Sequence, residues 1–112
     1  MSKQALSVLV LSIAATAVLV KNRFITHAGA VPAAAARCLG VTRTDAAIGD
    51  QIAVDVLGTA VVEAGGAIAA GAQVEVDASG RVITKAAGVV VGSALQQSLA
   101  LGDSIEVLLI PN

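Results

Sequence analysis

Chemistry in a chain usually announces itself as a nucleophile beside a base, a set of metal ligands, or a loop that cradles phosphate. The candidates here are few. Cys38 and His27 are the sole cysteine and the sole histidine, and a thiol nucleophile needs a base next to it. Cys38 stands beside Leu39 at the start of an apolar run, where a buried, inert thiol is expected. His27 leads into a Gly-Ala loop and reads as a solvated loop residue. One Cys and one His leave zinc without a ligand set at any recognisable spacing. Asp50 and Asp103 each follow a glycine and precede a strand-like run. They could be calcium ligands, but no D-x-D-x-D-G loop accompanies them, and turn initiation accounts for both. Gly40, Gly49, Gly65 and Gly66 build neither a G-x-G-x-x-G nor a G-K-[ST] motif. These residues point to a non-enzyme with no cofactor, no metal site and no small-molecule substrate.

The elements that would position such residues are strands. In residues 104–109, Ile105, Val107 and Leu109 share one face by the two-residue period. In residues 51–56, Ile52, Val54 and Val56 do the same. Both runs are preceded by Gly-Asp and, further back, by Leu39-Gly40 or Val91-Gly92. Gly58 reads as the end of one strand and residues 59–63 as the next. Residues 73–76 alternate apolar and polar, residues 82–84 return, and Asp77-Ala78-Ser79-Gly80 between them is the strongest hairpin signal, with Asp77 opening the turn and Gly80 able to close it left-handed. Lys85 could be a carrier lysine for a covalently attached group, as in biotinyl and lipoyl domains, but those domains present their lysine at a hairpin tip, and this tip has none. Pro32 excludes a central strand from residues 27–36, which read as a surface loop with a helical turn available at residues 33–36.

Matching turns and strands indicate one unit present twice. Residues 13–17 align with 68–72, 24–28 with 82–86, and Gly49-Asp50 with Gly102-Asp103. With no sustained 3.6-residue pattern, the expectation is an all-β fold: a small, jelly-roll-like β-sandwich or barrel of two pseudo-repeated units, about residues 13–57 and 68–110. Residues 21–112 would form this single domain, preceded by an N-terminal strand or arm at residues 1–20.

Composition bounds the function. Hydrophobic residues make up 56% of the chain and charged ones 13%, with one Phe and no Trp or Tyr. A surface so poor in charge suits a partner interface. The net charge is −1, and no basic stripe with interleaved aromatics exists to follow a nucleic acid. The apolar start could be taken for a signal or anchor segment, and an exported β-domain protein is the alternative reading. Against it, Lys21, Asn22 and Arg23 follow the apolar run where small residues should mark a cleavage site. A run of about 15 residues is also short for a membrane span. The expectation is a soluble strand and no membrane contact.

The chain resembles the small decoration, or cement, proteins of tailed-bacteriophage capsids. The likeness lies in Glu63-Ala64-Gly65-Gly66-Ala67-Ile68, in Gly92-Ser93-Ala94-Leu95, and in Gly102-Asp103 followed by the apolar run to Leu109. It covers roughly residues 39–110, and the N-terminal third matches less well. The resemblance implies a structural virion protein on the capsid exterior, bound to the major capsid protein and to itself as a dimer or trimer, cementing neighbouring subunits. Within that reading, Ser7, Val8, Leu9, Val10, Leu11, Ser12 and Ile13 are the candidate partner-binding residues, because an apolar terminal strand can add to a sheet edge.

Overall fold

A computed structural model describes residues 6–112. Met1 to Ala5 of the arm, Lys3 included, lie outside the described residues. Among those described there is no helix, and eight strands follow one another: β1 (Ser7–Ala14), β2 (Phe24–Ile25), β3 (Gly40–Thr42), β4 (Gln51–Glu63), β5 (Gln73–Val76), β6 (Val82–Thr84), β7 (Gly92–Ala94) and β8 (Ser104–Leu109). All named pairs are antiparallel. Their order is β2-β3-β4-β8-β7-β5-β6, with β1 also on β4. Phe24 N–H donates to the Gly80 carbonyl at 2.8 Å, bringing β2 back against the β5–β6 hairpin. The sheet is thus a nearly closed, barrel-like all-β body.

The expected break at Gly58 does not occur. β4 runs unbroken for 13 residues because Gly58, at φ 99°, bends the strand without ending it. The first part of β4 pairs with β1 and β3, the second with β8. One strand therefore belongs to both halves. Register then repeats. Phe24 faces Val41 and Ile25 faces Gly40, as Gln73 faces Ser93 and Val74 faces Gly92. Val41 faces Asp55 as Ser93 faces Leu108, and Ile13 faces Ile52 as Val62 faces Ile105.

Two apolar clusters fill the interior. The larger contains Val62, Val74, Val91, Ile105 and Val107; the smaller contains Ala15, Leu19, Ile25, Ile52 and Val54. As the alternation requires, Ile105, Val107 and Leu109 point inward. Glu75 departs from it: the clean alternation of β5 predicts a solvated carboxylate, yet Glu75 is buried. The chain folds back over it, and its Oε1 accepts from Ala86 N–H at 2.6 Å and Gly88 N–H at 3.1 Å. Those two backbone donors, Ala86 first, hold the Glu75 carboxyl below its ordinary value. The hairpin forms as read, with Asp77 Oδ1 accepting from Ser79 and Arg81 N–H. Residues 33–36 make one reverse turn, Ala36 N–H to the Ala33 carbonyl at 3.3 Å, with Ala35 left-handed at φ 63°. Pro32 is buried, so that loop is partly tucked in.

Where β4 ends, Glu63 ties three segments together. Its Oε2 lies 2.8 Å from Arg23 Nη2 and 2.7 Å from Arg81 Nε. The hydrogen bond from Arg81, and then Arg23, lower the Glu63 pKa below its ordinary 4.5. A carboxylate whose folded value is depressed contributes stability above its unfolded value, and that contribution fades as pH falls through the lower folded one. Glu63→Gln is therefore expected to cost no more than about 1 kcal/mol near neutrality, as partly exposed ion pairs do. The difference from wild type should shrink below about pH 4.5. Urea denaturation across the acid range checks this; a difference that grows on acidification would contradict it.

Candidate functional site

β1 is built from Ser-Val-Leu-Val-Leu-Ser-Ile-Ala. β-branched and aliphatic residues favour an extended backbone, and β1 pairs antiparallel with β4 from Ser7 opposite Gly58 to Ala14 opposite Gln51. The candidate strand is thus already part of its own sheet. Its register shifts between Ser7 and Leu9 and again between Leu9 and Val10. No described residue pairs with its outer edge. Ile13 is half-buried against the smaller core cluster, but the rest of the strand is poorly covered. Val8 is 78% exposed, and Leu9, Val10 and Leu11 are exposed as well. Ser12 Oγ–H donates to Gln51 Oε1 at 3.2 Å.

Polar side chains fasten the front of this strand. Ser7 Oγ–H donates to Asp55 Oδ1 at 2.7 Å, and Arg43 Nε donates to the same oxygen at 2.8 Å. Arg43 Nη2 also donates to Ser7 Oγ. The Asp55 side chain is almost fully buried, that of Arg43 half-exposed. Alternation places Asp55 on the outer face of β4, and nothing in the sequence marks Ser7 and Arg43 as the groups that cover it. Their separations of 48 and 12 residues are invisible to any local pattern.

The edge is chemically unusual. Natural edge strands are blunted with Lys, Pro, inward charges or shortness. β1 is eight residues long with no charged residue. An arrangement of open backbone groups flanked by exposed aliphatics can accept an extended segment and bury apolar area on it.

The other candidates sit apart from it. Cys38 is buried and its thiol is pushed up to about 12 by burial, which leaves almost no thiolate at neutral pH. His27 lies in an exposed turn. Asp50 Oδ2 accepts from Ala47 N–H, and Asp103 Oδ2 from Leu99 and Ala100 N–H, so both act within turns. Lys85 Nζ donates to the Ala86 carbonyl, away from the hairpin tip. Among the described residues no three His, Cys, Asp or Glu converge on a possible metal position, and no helix is long and apolar enough to cross a membrane.

No curated protein matches this chain. A solved structure does, that of the head fiber gp8.5 N base in bacteriophage phi29, at a TM-score of 0.76 and 17% identity, covering 91% of this chain and 93% of that one. At that identity the likeness concerns the fold. A family profile described as phage cement protein matches residues 3–109. That match takes in β1 and every other strand of the barrel, and by it the chain belongs to the phage cement protein family and is a structural component of a phage virion.

Proposed function

We propose that the protein binds the outer surface of a phage head, cements neighbouring major capsid protein subunits, and uses Ser7 to Ile13 for part of that contact. The observation that carries the reading is the uncharged edge strand β1 with its exposed Val8, Leu9, Val10 and Leu11. A partner segment laid along this edge would satisfy its open backbone groups and cover its aliphatics at once. The family match supports the virion setting. The repeated register of the two halves supports a duplicated β unit within one domain. Self-association as a dimer or trimer belongs to the same reading, since a low-charge surface repeated over a closed shell gains avidity from each extra contact.

Substituting Val8 and Val10 by lysine puts charge on the edge while leaving the buried core untouched. Titrated against heads that lack the protein, this variant is expected to bind at least about tenfold more weakly than wild type, as burying one charge at a strand interface demands. Wild-type occupancy by the double-lysine variant, or by a chain lacking residues 1–12, would remove β1 from the contact.

A further inference from the structure

The turns at residues 47–50 and 100–103 are the same object built twice. Asp50 N–H donates to the Ala47 carbonyl at 3.1 Å, and Asp103 N–H to the Ala100 carbonyl at 3.3 Å. Each aspartate's Oδ2 takes the backbone N–H at the start of its own turn. Gly49 and Gly102 have φ of 92° and 96°, a left-handed backbone that a side chain would strain. Each turn is then strapped to the body by a reciprocal pair of bonds. Gly49 N–H donates to the Ala15 carbonyl and Ala15 N–H to the Asp50 carbonyl, both at 2.8 Å; Gly102 N–H donates to the Ala64 carbonyl at 2.9 Å and Ala64 N–H to the Asp103 carbonyl at 2.7 Å.

At the tip of each stands a large aliphatic residue. Ile48 is 70% exposed and Leu101 63% exposed. Nothing in the turn calls for one, because the glycine, the aspartate and the backbone make every bond that holds it. Any polar residue would serve at the tip and be better solvated. The surroundings of both tips are apolar too, by different residues. Val18 and Val20 flank the first, sharing a shallow hollow with Ala47 and Asp50. Leu99 lies beside the second. Neither turn contains a lysine or arginine.

We propose that Ile48 and Leu101 are a matched pair of anchors that seat in equivalent apolar recesses on two neighbouring copies of one coat protein. The inference rests on the head-binding reading above and gives it a second, separate contact. Its argument for the occupant is the repetition itself. Two rigid knobs of the same geometry in one chain fit one recess presented twice, and a lattice of a single coat protein presents each surface feature many times. Pre-formed tips lose little freedom on docking, and holding one copy makes engagement of the second effectively intramolecular.

The test uses the full chain and heads that lack it, with binding read by co-sedimentation across a protein titration. Ile48→Asp and Leu101→Asp should each weaken binding by on the order of 100-fold, and to a similar degree, since loss of either leaves a monovalent contact. The double variant should not bind at measurable concentration, while Ile48→Leu should bind like wild type. Both tips are exposed, so melting temperatures should stay unchanged; where an aspartate variant melts early, Ile48→Ser and Leu101→Ser take its place. Either aspartate variant binding as wild type does, or only one tip mattering, overturns the pairing. Conversion of an oligomer to a monomer by these substitutions would assign the tips to contacts between copies of this chain and overturn it as well. If the β1 lysine variant loses binding and the tip variants do not, the anchors fall and the head-binding reading stands. If wild type itself does not bind heads, both fall.

Discussion

Replacing Gly58 with alanine is expected to lower the melting temperature by on the order of 10–20 °C, from a loss of about 3 kcal/mol in a domain of this size. Gly58 holds φ 99° at the bend of β4. A Cβ there would stand 2.1 Å from the Leu6 carbonyl oxygen and 2.9 Å from Val8 N. Neither is the movable end of a side chain; both are backbone of the strand paired beside it. The variant must relieve the clash by moving residues 6–8, on top of the backbone strain that a non-glycine residue suffers in this region, about 1–3 kcal/mol. Thermal melting and amide exchange check the two parts. Protection should fall first at the front of β1, and head binding should weaken with it. A variant as stable as wild type would mean that this bend is relaxed in solution.

The second large effect concerns Arg43. Removing it with Arg43→Ala leaves the buried Asp55 carboxylate with only the Ser7 hydroxyl, and an uncompensated buried charge is costly. Because Arg43 is half-exposed, the expected loss is about 2 kcal/mol, below the range for a fully buried pair. Asp55→Asn removes the charge yet keeps an acceptor for Ser7, so it should cost less than Arg43→Ala. The double variant should then be more stable than Arg43→Ala alone. Denaturant titration of the three variants and wild type closes the cycle. Simple additivity of the two single losses would show that the carboxylate does not depend on the guanidinium.

How much of this was legible in the sequence follows from how local each signal is. The face of β8, the hairpin at Asp77 and the two Gly-Asp turns need only neighbours within a few residues, and the structure has all of them. The all-β class followed from the same patterns. Gly58 misled because glycine in an apolar run signals a strand end as readily as a bend, and only the neighbouring β1 backbone decides between them. Glu75 and Asp55 misled for a related reason. A carboxylate in an alternating strand is assigned to solvent, and the groups that cover these two come from the loop at residues 86–88 and from Arg43 and Ser7. The apolar stretch at Ser7 to Ile13 was readable as a strand, but its pairing with β4 was not, because a run of Val and Leu carries no register mark. Ile48 and Leu101 went unnoticed for lack of any pattern: a single aliphatic residue in a turn is ordinary in sequence and becomes telling only once its exposure and its twin are seen.

β4 has one more consequence, which concerns tension. β1 grips its first portion and β8 its second, so a pull exerted through β1 reaches β8 along a single covalent strand. Both ladders lie along that line of force, so each is loaded in shear, and its bonds must rupture together instead of unzipping singly. A swelling shell that tugs on this molecule would meet its stiffest axis first.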